Sequence, residues 1–405
     1  MTNTIMIIGA AFAMLAAFHP RVTNAPFWRA MVTPLASIIG SGFLLGAPIL
    51  AHIAGNWAFA AMGGLCLIGF VFGAVIRHNI AHLEPLLAGR PPRDIAALER
   101  ICEYALALAY FISVAYYINL FAAFALRTQL VSDPQAIRLM AMSIIAVLGI
   151  IGVFRGLRGL EYVEVTAVGI KLSLIFGLVA ALGFAAIAAL DNASFALPDV
   201  EPRMDVGAGR VFLGLVILVQ GFETSRFLGG AYDRATRIRT MRHAQLLSTV
   251  IYVIFILLAT PYFPNTLPER VSETQIIDIL SPVASMAAPL LIFVALTSQL
   301  SAAIADMNGA GGLLEDASRG RVPVKAGYFI TACVAIAITW GADIFEIVND
   351  ASKAFVLYYG LQSVIALRLA LRMNTARKMF NLALFSGAIM VAFAILLFSL
   401  PLETS

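Results

Sequence analysis

An all-helical, polytopic membrane protein is predicted by three observations. Of the 405 residues, 61% are hydrophobic and only 12% charged, with a mean hydropathy of +0.91, well outside the range of soluble globular domains. Apolar stretches of about 17 to 25 residues, the length that crosses a hydrocarbon core of about 30 Å, recur along almost the whole chain. Finally, the basic residues sort by loop: alternate connections hold 19 of the 27 Lys and Arg. No soluble domain fits between the apolar stretches.

The stretches lie at 4–18, 29–53, 56–76, 104–126, 138–154, 162–189, 209–230, 244–263, 284–307, 327–341, 351–371 and 380–400, about twelve spans. The first is short, but it lacks a basic leader and its nearest positives, Arg21 and Arg29, follow it; that pattern predicts a retained extra helix rather than a signal peptide. The basic connections carry Arg21 and Arg29; Arg77, Arg90, Arg93 and Arg100; Arg155 and Arg158; Arg234 to Arg242; Arg319 to Lys325; and Arg368 to Lys378. The intervening connections are acidic, with Asp191, Asp199, Glu201, Asp205, Glu269, Glu273, Asp278, Asp343, Glu346 and Asp350. The positive-inside rule therefore places the basic loops in the cytoplasm and both termini outside, in a cytoplasmic membrane. Charge sorted in this way explains the net +4 without nucleic acid. Cys66, Cys102 and Cys333 are odd in number and lack metal-like spacing, so they read as packing residues.

Two spans carry interruptions. Residues 29–53 break at Gly40-Ser41-Gly42, and residues 209–230 hold Gln220-Gly221 in the middle and Gly229-Gly230 at the end. Setting the short first helix aside, these are spans one and six of the remaining eleven. Broken helices at matching positions of successive five-helix units predict a five-plus-five inverted repeat with its site at the midplane. The expected division is an extra helix and linker at 1–28, a first repeat at 29–190, a second at 191–372, and a final helix and tail at 373–405. Unwinding exposes backbone N–H and C=O groups that lipid cannot satisfy, at several kcal/mol each. Such groups face protein, water or a ligand: N–H groups at the start of a half-helix suit a carboxylate, and carbonyls at the end of one suit an amine or cation. The competing reading is close helix packing by small residues.

Four segments resemble one family. SIIGSGFLLGAPIL resembles the first core helix of the amino acid-polyamine-organocation superfamily, and VQGFETSRFLGGAYDRATRIRTMRHAQ its sixth helix and following basic loop. GVFRGLRGLEYVEVTAVGIKLSLIFGL is similar to the fourth-to-fifth helix segment, and LSAAIADMNGAGGLLEDASRGRVP to the eighth helix and the loop after it. The likeness covers about residues 29 to 400, in the family's order. It implies a LeuT-like fold, departing from the family by the extra amino-terminal helix, the lack of a twelfth core helix and the lack of an NP dipeptide in a loop.

The resemblance implies that the substrate's amine and carboxylate lie near Ile38, Ile39, Gly40, Ser41 and Gly42. Val219, Gln220, Gly221 and Phe222 would add carbonyls and a lid, with Phe222 as an aromatic gate. Glu223 matches the family's acid after the unwound segment, and an acid within a span is costly and by default functional; an intrahelical pair with Arg226 is the alternative. Lys171 lies ten residues into a span, too deep to snorkel, so its ammonium either pairs or gives up its charge. In the family a lysine here can occupy the place of sodium in related carriers, implying a proton-linked or cation-independent carrier. Asp306, with Ser298 and Ser301 one face away, is its expected partner, either as a titratable coupling pair or as a fixed structural one. On the third helix Ser113, Tyr116, Tyr117 and Asn119 bring polar atoms together, as do Tyr358 and Tyr359 on the tenth; Ser113 and Tyr117 are the ones expected to line the site.

Other classes find less support. His78 and His82 form HxxxH, a spacing used at metal sites, but the remaining histidines are scattered and the pair falls in a basic loop. No GxSxG, CxxC or phosphate-binding loop is present, so the expectation is a non-enzyme with no cofactor and no metal. A channel would show uncoupled, non-saturating flux. The expected function is a secondary transporter moving a small amino acid or related amine by alternating access, through proton symport or exchange. The runner-up is a sodium-coupled carrier using the first-helix carbonyls with Ser301 and Asp306.

Overall fold

A computed structural model describes residues 1–40, 42–129, 131, 133–157, 164–192, 195–203, 205–265, 271–373 and 376–402, without the side chains of Phe43, Glu164 and Val165. Helices follow the apolar stretches. A helix α1 (Thr2–Ala17) and one turn α2 (Pro20–Thr23) lead into α3 (Pro26–Ile38) and α4 (Gly42–Ala54). Then come α5 (Ala58–Leu87), α6 (Arg93–Arg127), α7 (Pro134–Arg155) and α8 (Glu164–Asp191). Next is α9 (Val206–Leu213), followed by two 3-10 segments, Val216–Val219 and Phe222–Gly230. The chain continues through α10 (Arg234–Ala259), α11 (Gln275–Leu280), α12 (Ala287–Ala317), α13 (Val324–Gly341), α14 (Ile344–Arg372) and α15 (Lys378–Phe398). Among the described residues, nine helical stretches are long and apolar enough to cross a membrane.

Local chemistry sets many of the helix starts. Pro20, Pro26 and Pro134 open their helices, where a missing N–H costs nothing. Asp133 and Asp233 accept from the first turns of α7 and α10, and Asp343 with Glu346 closes a reciprocal capping box on α14. Several helices outrun the apolar stretches because charged turns carry them past the hydrocarbon: α6 begins at Arg93 and α12 ends at Ala317. Sequence reading missed α11, whose Ile276, Ile277, Ile279 and Leu280 are buried against α12 and α4.

The fold is a bundle around α6. Of its most apolar window 83% is buried, against 22% for α15; α6 is therefore walled by protein, whereas α15 faces lipid. That placement suits a helix rich in tyrosines, Ser113 and Asn119, whose polar atoms hydrocarbon could not satisfy. Counterparts in the two five-helix units pack on each other: α5 on α10, α6 on α12, α7 on α13, and α3 on the segment Phe222–Gly230. The LeuT-like inverted repeat expected from the two broken spans is thus the observed architecture.

The extra helix α1 docks on α8 through small residues. A Cβ on Gly177 would lie 2.5 Å from the Met6 carbonyl oxygen and 2.8 Å from the Ala10 Cβ, so only glycine allows this approach. Asn3 ties the same helix to the connection before α12, donating to Ser285 Oγ at 2.8 Å and accepting from the Met286 N–H at 3.3 Å. Gly177→Leu is expected to lower the unfolding midpoint of the purified protein and to speed tryptic cleavage at Arg21. If neither changes, α1 is not held by this contact.

Candidate functional site

The first break frees carbonyls, and the protein fills them. Ile39 leaves helical geometry at φ −80°, ψ 66°, and the Gly40 N–H turns back to the Ile38 carbonyl at 2.8 Å. The Ile38 oxygen also accepts from the Tyr252 hydroxyl of α10 at 2.5 Å. Lys171 of α8 donates its ammonium to the carbonyls of Ala36, at 3.1 Å, and Ile39. A half-helix end is a natural cation site, and here the side chain of a buried lysine occupies it.

The second break is longer than the sequence suggests. Helix α9 stops at Leu213, and beyond it the chain winds as 3-10 rather than α, interrupted where Gln220 is extended and Gly221 takes φ +112°. Ser352 of α14 stitches the opened turn, donating to the Gly214 carbonyl at 2.7 Å and accepting from the Ile217 N–H at 2.9 Å. The Gly221 N–H donates to Glu223 Oε2 at 3.0 Å, and Tyr359 OH donates to the same oxygen at 2.7 Å. Gln220 donates to Tyr117 OH at 2.9 Å.

These interruptions meet backbone to backbone. A Cβ on Gly221 would fall 2.5 Å from Ser37 Oγ and 2.6 Å from the Ser37 carbonyl carbon, while one on Gly42 would strike the Leu218 carbonyl. The left-handed φ at Gly221 imposes glycine independently. Ser41 lies outside the described residues.

Among the described residues, buried side-chain atoms without a hydrogen-bond partner include Gln220 Oε1 and Glu223 Oε1 at the second break, and Ser298 Oγ and both amide atoms of Gln299 on α12. Buried polar groups are ordinarily satisfied, so Gln220 and Glu223 at the second break each keep an oxygen able to accept a further hydrogen bond. Phe222 is fully buried and stacks on Tyr359 with ring centres 5.0 Å apart. Val219 is buried beside Gly69, and Ser301 sits half-buried on α12.

The Lys171–Asp306 partnership and the loop placement of the histidines are corrected, and the alternative pairing of Glu223 with Arg226 is not found among the described residues. Asp306 does not form an ion pair with Lys171 among the described residues; it faces the Ser113 hydroxyl of α6, because α8 brings Lys171 to the carbonyl end of α3 first. Glu223 does not pair with Arg226. It folds back onto the freed Gly221 N–H, an orphan donor at the start of its segment, and leaves Arg226 to bond Glu99 at 2.8 Å and Tyr358 OH at 3.3 Å. His78 and His82 lie within α5 rather than in a loop, their rings 4.5 Å apart and His78 against Phe385 of α15.

The Arg226–Glu99 pair belongs to a network that sequence reading did not find. Gln362 of α14 donates to Glu99 Oε2 at 3.0 Å, and Asn79 of α5 donates to Gln362 Oε1 at 2.7 Å. Both ionic side chains are only 10% exposed, and losing one partner of such a pair costs about 3–5 kcal/mol. The network ties α5, α6 and α14 to the 3-10 segment Phe222–Gly230. Glu99 escaped notice because it precedes the apolar stretch 104–126, and Tyr252 because a lone tyrosine in an apolar run carries no signal. Gln299 and Gln362 were findable as uncharged polar residues deep in spans.

A family profile for APC superfamily transporters matches residues 20–399. An uncharacterized protein of Aquifex aeolicus (strain VF5) is 38% identical over 372 residues, 90% of each chain. Among solved structures, Mhp1, a nucleobase-cation-symport-1 family transporter in a closed conformation with bromovinylhydantoin bound, aligns at TM-score 0.57 with 12% identity, covering 94% of each chain. A Na+-coupled sialic acid symporter in a substrate-bound outward-open state aligns at TM-score 0.50 and 12% identity, over 100% of this chain and 99% of that one. At such identities the likeness is one of fold.

Proposed function

The chain belongs to the APC superfamily of transporters, and on that premise we propose that it carries a small amino acid or related amine across the cytoplasmic membrane, by proton symport or exchange. The solute binds where the breaks cross, among the peptide groups of Ile38 to Gly42 and Val219 to Phe222, flanked by Ser113 and Tyr117. Access alternates by opening and closing the two ends of the bundle, with Arg226, Glu223 and Phe222 on the gating side. Lys171 stands where a coupling cation would otherwise bind, and Asp306 with Ser301 completes the polar wall on α12.

One observation carries this reading: a lysine ammonium caps the carbonyls opened by the first break. A second reading, sodium coupling through those carbonyls with Ser301 and Asp306, draws on the sialic acid symporter, which is Na+-coupled. The test is uptake of an amino acid and amine panel into sodium-free proteoliposomes under an imposed pH gradient. Saturable uptake is expected. Strict sodium dependence together with an unaltered Lys171→Ala variant would end the proton model.

A further inference from the structure

Among the described residues, most buried or paired guanidiniums at the basic end of the bundle have an acidic partner. Arg237 bonds Glu84, Arg226 bonds Glu99, and Arg368 and Arg372 share Asp94. One patch is different. Arg239, Arg242 and His243 are exposed on α10, and none of them is joined to a carboxylate in a described ion pair. The sequence has no acid before Glu84 and none within α10, and the α10 cap Asp233 is taken up by Thr236 of the helix's own first turn.

Behind the patch, Arg77 of α5 is 9% exposed and rests on neutral groups only. Its guanidinium reaches Gln245 Oε1 of α10 and the Phe70 carbonyl, and lies 4.7 Å from the centre of the Phe70 ring. It is within electrostatic reach of Arg242. Neither cation has a carboxylate partner among the described ion pairs, so an added anion would be attracted to both.

Geometry then fixes which anion. Helix α10 has 26 residues, about 39 Å at 1.5 Å per residue, against about 30 Å of hydrocarbon. Roughly its first six residues project beyond the hydrocarbon, so Arg239, Arg242 and His243 straddle the headgroup boundary. Continuing along the same face, Leu246, Val250, Ile254 and Leu257 are exposed, an apolar track suited to acyl chains. Phe27 of α3 completes the cradle, edge-on to His243 with centres 5.2 Å apart and 5.8 Å from the Arg239 guanidinium.

We propose that the basic start of α10, with Phe27, is a binding site for the phosphate headgroup of an anionic phospholipid, whose chains lie along Leu246 to Leu257. The bound lipid bridges α10 and α3. Because α3 is the half-helix that ends at the first break, headgroup occupancy steadies the element that must move if that break opens.

The full chain is placed in nanodiscs of phosphatidylcholine, with and without phosphatidylglycerol, and the unfolding midpoint and co-purified lipid are measured. Wild type is expected to unfold at a higher midpoint with phosphatidylglycerol and to retain it over phosphatidylcholine. Arg239→Gln with Arg242→Gln is expected to lose roughly thirtyfold of that preference, about fivefold per arginine near an anionic surface. The control pair Arg368→Gln with Arg372→Gln, on another part of the same side, keeps it. Inorganic phosphate added to phosphatidylcholine discs produces no rise. Equal behaviour of the two lipids, an unchanged preference in the α10 double variant, or a rise with phosphate alone overturns the proposal.

Discussion

Gly221→Ala is expected to abolish transport and to leave little folded protein. Its φ of +112° strains any L-residue by about 1–3 kcal/mol. The added methyl would also lie 2.6 Å from the Ser37 carbonyl carbon, a contact with backbone rather than with a side chain that can rotate away. Relief requires α3 and the second break to separate, which dismantles the crossing on which the site is built. Gly230→Ala serves as the comparison, since a Cβ there meets nothing and φ is not positive. Yield, unfolding midpoint and uptake should collapse for Gly221→Ala and stay near wild type for Gly230→Ala. Equal behaviour of the two would mean that the backbones do not need to touch.

Lys171→Met should produce the second large effect, with a different signature. The variant keeps an unbranched side chain of similar length but removes the ammonium from the Ala36 and Ile39 carbonyls. Each buried acceptor left without its donor costs about 1–3 kcal/mol. Uptake driven by a pH gradient is therefore expected to fall about tenfold or more, the equivalent of about 1.4 kcal/mol. Yield should fall far less than for Gly221→Ala, because Tyr252 still holds the Ile38 carbonyl. Retention of pH-driven uptake in Lys171→Met would remove the lysine from coupling.

The spans and both interruptions were legible because each rests on a local signal: apolar length for the spans, and glycine inside such a length for the breaks. Lys171 announced itself by depth. Its partner did not, since the choice between Asp306 and the α3 carbonyls depends on how α8 is rotated against α3, which no periodicity encodes. The same limit applied to Glu223. Its spacing to Arg226 suits a helical pair, but the segment begins with a free N–H at Gly221 that takes the carboxylate, and Glu99 comes from more than a hundred residues away to take the arginine. Gly42 and Gly221 were read as sites of local unwinding; that each accommodates the other break's backbone is a tertiary fact.

The central claim is that one solute contacts the peptide groups of both breaks. It is tested most directly by thiol protection in a background where Cys66, Cys102 and Cys333 are alanine. Ile39→Cys and Gln220→Cys are introduced singly, and their labelling by a small water-soluble thiol reagent is followed with and without a saturating concentration of a transported solute. The account predicts that the same solute slows labelling at both positions while leaving an exposed control, Ser318→Cys, unchanged. Protection at only one position, or at neither, would contradict it.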